Sequence, residues 1–343
     1  VQVISNLIQG NQAGADDGSG ILLRYVNGQD ATSPPALQYG VDIYNNILAN
    51  NVTGLAGTIT LQDAIKVNIV NNTIAHNDSL ATSAAAFSGG PSVSTPQPAG
   101  VVARSHTPAF AAALGAGPAF SDPVLINNII WQNRSFYWDV SQNGGMGGLV
   151  PDIAGGASPV YDDLAVLGTT GTLTPLNCLL TNPADDPMFM AVYVNGGPSY
   201  LLKDAPTYTN IQTIPAFDEG GNFIDMAYGP MTLYDDPTPN DGNPGTLFGD
   251  YLIQGTSSAL DVGNSSIVTQ TPELAVDIQG QMRPAPTTGV DIGADEFHTG
   301  VALLNTCGTD TNNDGDVDGA DLAGPGVIPG AVAAEFGRVN CFQ

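Results

Sequence analysis

One nine-residue pattern returns four times along the first 133 residues, and it constrains the chain more than any other feature. It reads Val3-Ile4-Ser5-Asn6-Leu7-Ile8-Gln9-Gly10-Asn11, then Ile43-Tyr44-Asn45-Asn46-Ile47-Leu48-Ala49-Asn50-Asn51. It recurs as Ile69-Val70-Asn71-Asn72-Thr73-Ile74-Ala75-His76-Asn77 and Leu125-Ile126-Asn127-Asn128-Ile129-Ile130-Trp131-Gln132-Asn133. The asparagine at the fourth position advances by 40, 26 and 56 residues (46−6, 72−46, 128−72). A coil of roughly 20–30 residues, lengthened in places by loops, accounts for all three steps, and periods of that size mark stacked architectures. Alternation puts the aliphatic residues inside short strands. Asparagine tolerates the left-handed backbone of a corner and can bond its copies above and below. One such coil cannot bury its apolar face alone, so neighbours must stack on it. A β-sandwich with Asn-rich turns competes with this reading, but sandwiches do not reuse one Asn-Asn offset.

Insertions separate the coils. Residues 79–119, rich in Ala, Ser, Gly and Pro, read as a long loop, and residues 144–159 as a second. Loops projecting from a rigid column are where binding residues concentrate.

Charge narrows the partners. The 343 residues carry 33 acidic side chains against 7 Lys and Arg, a formal net charge of −26. So few cations cannot neutralise nucleic-acid phosphates or an anionic membrane surface. Hydrophobic residues make up 42%, enough for a core, and no apolar run reaches membrane-span length. The repeat is already under way at Val1 without a leader ahead of it, so the expectation is a secretion signal removed upstream and a secreted or cell-surface location. The first coil then has no preceding segment to cover its open end, and exposed strand edges invite pairing. Head-to-tail assembly with another copy of the chain is the consequence to be tested.

Farther along stand Ser258-Ala259-Leu260-Asp261-Val262-Gly263, Asp277-Ile278-Gln279-Gly280-Gln281-Met282-Arg283-Pro284 and Asp291-Ile292-Gly293-Ala294-Asp295-Glu296. These segments resemble the closing turns of secreted bacterial right-handed parallel β-helix proteins. The resemblance implies an all-β fold, a right-handed parallel β-helix (solenoid) over residues 1–298, with residues 299–343 as a separate small module. It also implies a structural role for Arg283, paired with a carboxylate such as Asp277 or Asp291.

The acidic stretch Asp310–Asp321 sits inside that module. Counting Asp310 as position 1, Asn312, Asp314, Asp316, Asp318 and Asp321 fall at 3, 5, 7, 9 and 12, with Gly315 at the sharp turn. This is the spacing of an EF-hand calcium loop, with oxygens converging on a hard cation and position 7 contributing its carbonyl. Aspartate at position 12 followed by Leu322 resembles the dockerin type of calcium loop. The resemblance covers Thr306–Gln343 and implies Ca²⁺ binding; only one loop is present, and GPGVIPG interrupts the helix after it. Cys307 and Cys341 flank the loop, and a disulfide between them would close it in an oxidising compartment. Cys178 is then left as a lone thiol.

Parallel β-helices also host polysaccharide lyases and hydrolases. The Gly-His-Gly and Arg-x-Lys elements of a polygalacturonase-like site do not occur here. His76 sits at a repeat corner, where a stacked polar role is expected; His106 lies in the Ala-rich insertion and His298 at the module junction. Arg24, Arg104 and Arg134 are far in sequence from acidic clusters. Adjacent carboxylates (Asp16-Asp17, Asp162-Asp163, Asp185-Asp186, Asp235-Asp236) read as solvated turns. Trp131, Tyr137 and Trp138 are the aromatic candidates for a sugar-binding groove, with core packing as the alternative. Sequons at Asn51, Asn71, Asn77, Asn133 and Asn264 read as by-products of the repeat. The expectation is a non-catalytic structural or adhesive scaffold, with itself, extracellular polysaccharide or other surface proteins as partners. A β-helix lyase or hydrolase, and a carbohydrate-binding protein without turnover, are the alternatives. Calorimetric titration with calcium is expected to show one site, with a dissociation constant between about 10⁻⁷ and 10⁻³ M, lost in Asp314→Ala.

Overall fold

A computed structural model describes residues 1–145, 147–153, 160–195, 234–235, 246–247, 249–285 and 289–298. Each repeat forms short strands joined at corners. Coil 1 consists of β1 (Gln2–Ile4), β2 (Leu7–Gln9), β3 (Gln12–Ala13) and β4 (Ile21–Arg24). Coil 2 consists of β5 (Val41–Tyr44), β6 (Ile47–Ala49), β7 (Val52–Thr53) and β8 (Ile59–Gln62). Coil 3 has β9 (Val67–Val70), β10 (Thr73–Ala75), β11 (Asp78–Ser79) and β12 (Val101–Arg104). Coil 4 has β13 (Val124–Ile126), β14 (Ile129–Trp131) and β15 (Arg134–Asp139), then β16 (Gly148–Pro151) and β17 (Leu164–Leu167). A fifth coil contributes β18 (Pro175–Leu176) and β19 (Leu179–Leu180).

The strands stack as four parallel sheets, β1-β5-β9-β13-β18, β2-β6-β10-β14-β19, β3-β7-β11-β15 and β4-β8-β12-β17. Mostly β, with parallel strands stacked in register, the arrangement is compatible with the expected β-helix. Register puts like residues over like. Val3, Ile43, Ile69 and Leu125 form one interior row, and Ile8, Leu48, Ile74, Ile130 and Leu180 another. These rows fill the column together with Ile59, Leu61, Val101 and Ala103.

Two buried rows of side chains tie the coils. In the first, the backbone N–H of Asn6 donates to Asn46 Oδ1 (3.0 Å), that of Asn46 to Asn72 (2.9 Å), and that of Asn72 to Asn128 (2.9 Å). The carboxamide Nδ2 of each donates to the same oxygen at 2.9–3.0 Å. In the second row Asn11, Asn51, Asn77 and Asn133 repeat the scheme. The two asparagines of a pair divide the labour. The first takes the corner: Asn45, Asn71, Asn127 and Asn177 have φ of 54°, 52°, 55° and 48°. The second points inward and carries the row.

Three expectations need correction. The stretch 79–119 is not a loop throughout: Val101–Arg104 supplies the coil-3 strand β12, and Thr107 caps α1 (Pro108–Leu114). Its VVAR alternation has the half-buried strand pattern even inside an Ala-rich run. In the stretch 144–159, β16 turns back antiparallel onto β15. The segments expected to close the column as further turns lie along its flank instead. There β20 (Phe189–Ala191) pairs antiparallel with β23 (Asp250–Ile253), and Asn264 caps α2 (Ser265–Gln270); a small hairpin, β21 (Tyr234–Asp235) with β22 (Thr246–Leu247), precedes β23. Phe189, Tyr251, Ile253, Ala259, Ile292 and Ala294 cover Ile47, Ala49, Ala75, Ile129 and Trp131. The corner asparagines hold this layer: Asn45 Nδ2 donates to Val276 O (2.8 Å), Asn71 Nδ2 to Gly293 O (3.2 Å), and Asn127 Oδ1 accepts from Asn264 N (2.7 Å).

Asn72 is wholly buried, and its carboxamide bonds Asn46, Asn128 and the carbonyls of Ile43 and Val70. Asn72→Ala orphans these partners and should destabilise by roughly 3–5 kcal/mol, whereas Asn6→Ala at the exposed end should cost about 1 kcal/mol. Chemical denaturation of the two variants measures the difference.

Candidate functional site

The predicted calcium ligands Asp310, Asn312, Asp314, Asp316, Asp318 and Asp321, and the cysteines Cys307 and Cys341, lie outside the described residues. Among the described residues no group of three or more His, Cys, Asp or Glu side chains is arranged to hold a metal ion, and no helix is long and apolar enough to cross a membrane. The chemistry that can be located is a set of charge clusters, and all four described arginines belong to them.

The first cluster joins coils 1 and 3. Arg104 clamps Asp17 through two 2.6 Å bonds, and Arg24 holds Asp16 at 3.2 Å. The Arg24 bond, helped by the Asp17 N–H, keeps the Asp16 carboxyl below its ordinary range. Asp16 is exposed and paired within its own coil, whereas Asp17 is buried rather than solvated and meets Arg104, which stacking brings over from coil 3.

The second cluster is interior. Asp78 and Arg134 each follow the last asparagine of the repeat, in adjacent coils, and the sheet sets them side by side. Arg134 Nε and Nη2 donate to the two Asp78 oxygens at 2.7 Å. Nη2 also donates to Asn195 O (2.8 Å), and the guanidinium lies 5.0 Å from the Phe136 ring centre. Both ionic side chains are buried. Sequence reasoning missed this pair, although its signal was present: opposite charges at one repeat position.

The third cluster lies in the flank layer. Arg283 pairs with Glu296 (Nε to Oε2, 3.2 Å), not with Asp277 or Asp291, because a guanidinium held against Asn45 and Gly293 O faces the end of the Asp291–Glu296 loop. Asp277 and Asp291 instead accept backbone N–H groups, from Gln279, Gln281 and Glu296 and from Asp261 and Phe297. Burial raises all four carboxyls of this cluster above their ordinary range, with Asp295 pushed up to about 8 and Asp291 to about 6.

The histidines are placed as follows. His76, at its corner with φ 53°, contacts the Tyr251 hydroxyl through Nδ1 (3.2 Å) and Gln132 Oε1 through Nε2 (3.1 Å). Burial brings it down to about 4, so it is neutral near pH 7 and serves the stacked polar role expected. His106 is buried under Phe110, its Nδ1 3.3 Å from Asp63 Oδ1; burial lowers it while Asp63 opposes the shift. His298 Nε2 meets Met282 O at 3.0 Å. Trp131 is core, whereas Tyr137 and Trp138 are half-buried. The sequon asparagines Asn51, Asn71, Asn77 and Asn133 are fully buried and engaged, which leaves no room for a glycan on the folded chain.

Two row-ending residues play parts the sequence reading did not give them: Cys178, read as a lone thiol, and Asp163, read with Asp162 as a solvated turn but in fact buried. Cys178, half-buried, takes the ladder position in coil 5, and its Sγ accepts from Asn128 N (3.3 Å). Asp163 ends the second row, with Oδ1 accepting from Asn133 Nδ2 (2.9 Å) and Oδ2 from Thr181 N (2.8 Å). No family model matches the chain, and neither does any curated protein or solved structure.

Asp78→Ala leaves Arg134 buried without its carboxylate and should destabilise by about 3–5 kcal/mol. The double variant Asp78→Leu, Arg134→Met should recover most of that loss. Denaturant midpoints of the two variants and the parent test this.

Proposed function

We infer that the chain is a non-catalytic extracellular scaffold: a right-handed parallel β-helix with a calcium-binding C-terminal module, assembling head to tail. One observation carries the reading. Among the described residues no strand pairs with the outer edges of β1, β2, β3 and β4 of coil 1. Val3, Ile8, Ile21, Leu23 and Val26 are only partly buried there, and Leu7 and Leu22 are exposed. The rows carry open acceptors on the same side. Asn6 and Asn11 donate to coil 2, yet among the described residues neither Oδ1 receives the N–H that every inner row member receives. An apolar end rimmed by strand edges and outward acceptors suits a docked neighbour.

The arginine–carboxylate contacts support the structural reading from another side, since Arg104 and Arg134 each join different coils and Arg283 joins two segments of the cover. The occupant of the coil-1 end is the C-terminal module of the next chain, closed by Cys307–Cys341 and ordered by calcium on Asp310, Asn312, Asp314, Asp316, Asp318 and Asp321. A unit of about 40 residues has little core, and metal and disulfide together supply what it lacks. Repeated head-to-tail contacts that do not close into a ring generate a fibre.

Electron microscopy of purified protein in calcium should show filaments that shorten or disappear with chelator, and Leu7→Asp should suppress them with calcium present. Monodisperse particles under every condition would overturn the assembly.

A further inference from the structure

We propose that the flank layer, residues 249–285 and 289–297, is a pH-keyed latch: its buried carboxylate cluster holds the layer on the column in mildly acidic solution and releases it as the pH rises through neutrality. The geometry comes first. Asp277, Asp291, Asp295 and Glu296 share one interior with a single guanidinium, Arg283, which pairs with Glu296, and all five residues are at least 95% buried. Four carboxylates and one guanidinium would carry a net charge of −3 if all were ionised, and interior charge in that excess is not sustained.

These groups are also the ties of the layer. Asp295 Oδ2 accepts from Ile253 N (2.8 Å), fastening β23. Asp291 fastens Asp261 N and Phe297 N (both 2.7 Å). Glu296 fastens Ala285 N (2.9 Å) and Asp291 N (3.0 Å), and Asp277 fastens Glu296 N (3.1 Å). Arg283 reaches the column at Asn45 Oδ1. Gly293 N donates to Asn127 O (2.9 Å) and Ala294 N to Thr73 Oγ1 (3.1 Å), so the Asp291–Glu296 loop is also where the layer meets the corners.

The direction of the pH effect follows from linkage. All four carboxyls stand above their ordinary range, burial being the first cause in each; Asp277 adds to it at Asp295, and Glu296 and Asp261 at Asp291. A raised acid binds a proton in the closed layer that it has lost in the opened one. Closure therefore weakens as pH rises through the window and levels off above about 8, where Asp295 ionises even when buried. Asp250, at the start of β23, is raised by burial and acts in the same sense.

The other groups facing the layer set the acid side. His76 contacts Tyr251 and is held down to about 4 by burial, with Asp186 and Arg134 also acting on it. Its closed-state value lies below its opened-state value, so closure weakens as pH falls below about 6.5. Asp78 and Arg134 also act on Tyr251, Glu273 accepts from Gln2, and His298 bonds Met282 O. The corner residues touching the cluster, Asn45, Asn71, Asn127 and Thr73, are uncharged. Between about pH 6.5 and 8 the carboxylates therefore act against an imidazole that is already neutral, and the latch opens in that interval.

Hydrogen exchange on the full chain, corrected for the intrinsic pH dependence of amide exchange, tests this against an internal control. Protection of the Ile253 amide should fall at least about tenfold from pH 6.5 to 9, while the Asn72 and Asn77 amides on the column hold. Trp131, covered by the layer, should change its fluorescence over the same range. Asp295→Asn keeps an acceptor for Ile253 N but cannot ionise, and should flatten both profiles. Equal responses of flank and column in the parent protein would overturn the proposal, whether or not the variant folds. So would an unchanged pH profile in a folded Asp295→Asn.

Discussion

Everything in the column depends on a carboxamide with no water to turn to. Asn46, Asn51, Asn72, Asn77, Asn128 and Asn133 are fully buried, and each carboxamide has both donor and acceptor bonds to neighbouring coils. An unmet buried amide is destabilising by an amount comparable to a lost core side chain. The geometry that satisfies it is therefore enforced. The two ladder asparagines of a coil are always five residues apart (6 and 11, 46 and 51, 72 and 77, 128 and 133), while the distance to the next coil varies from 26 to 56. Insertions are excluded from the short ladder arc and accepted beyond it, where closing a longer loop costs little extra entropy. The column is rigid where the amides meet and free where they do not.

The same asymmetry explains how a polar corner becomes an anchor. The corner asparagines Asn45, Asn71 and Asn127 turn their side chains away from the column because the left-handed backbone points them there. Their carboxamides then need partners outside, and the flank segments supply backbone carbonyls and N–H groups. Covering Trp131 and Ile129 with Tyr251 and Ile253 supplies the apolar part of the attachment. Polar anchoring sets register, and apolar cover supplies area.

Much of the column was legible in the sequence, and the limits of legibility have physical causes. Four coils showed themselves because asparagine is hard to replace at a buried ladder position. The fifth was hidden because Leu176-Asn177-Cys178-Leu179-Leu180 puts a thiol there, and Pro183 stands where the second row would need an asparagine. Asp78 and Arg134 were legible in principle, being opposite charges one step past a repeat asparagine. Asp17 with Arg104, 87 residues apart, was not, because the intervening loops are not counted by the repeat. The flank escaped for a different reason. Its Asp277–Pro284 and Asp291–Glu296 motifs report local turns and a buried Arg283–Glu296 pair, and these serve a layer laid along the column as well as a turn closing it.

The rows have direction, and that bears on their ends. Each asparagine gives its backbone N–H and Nδ2 toward the next coil and receives at Oδ1 from the one before. A row can therefore be stopped on its receiving side only by a group that accepts without passing donors onward. Cys178 Sγ does this in one row and the Asp163 carboxylate in the other. Burial raises both groups, but by a different balance: the thiol stays neutral, whereas the carboxylate draws compensating bonds from Asn133 and Thr181. Asp163 also reaches the fifth coil, because its second oxygen accepts the Thr181 N–H. On the coil-5 side the described rows thus stop at side chains that accept from the row and pass no donor to a further coil; the Cys178 S–H turns back to Leu176 O of its own coil (3.5 Å). On the coil-1 side the rows start at ordinary asparagines, Asn6 and Asn11, which give their N–H and Nδ2 groups to coil 2 like every inner member.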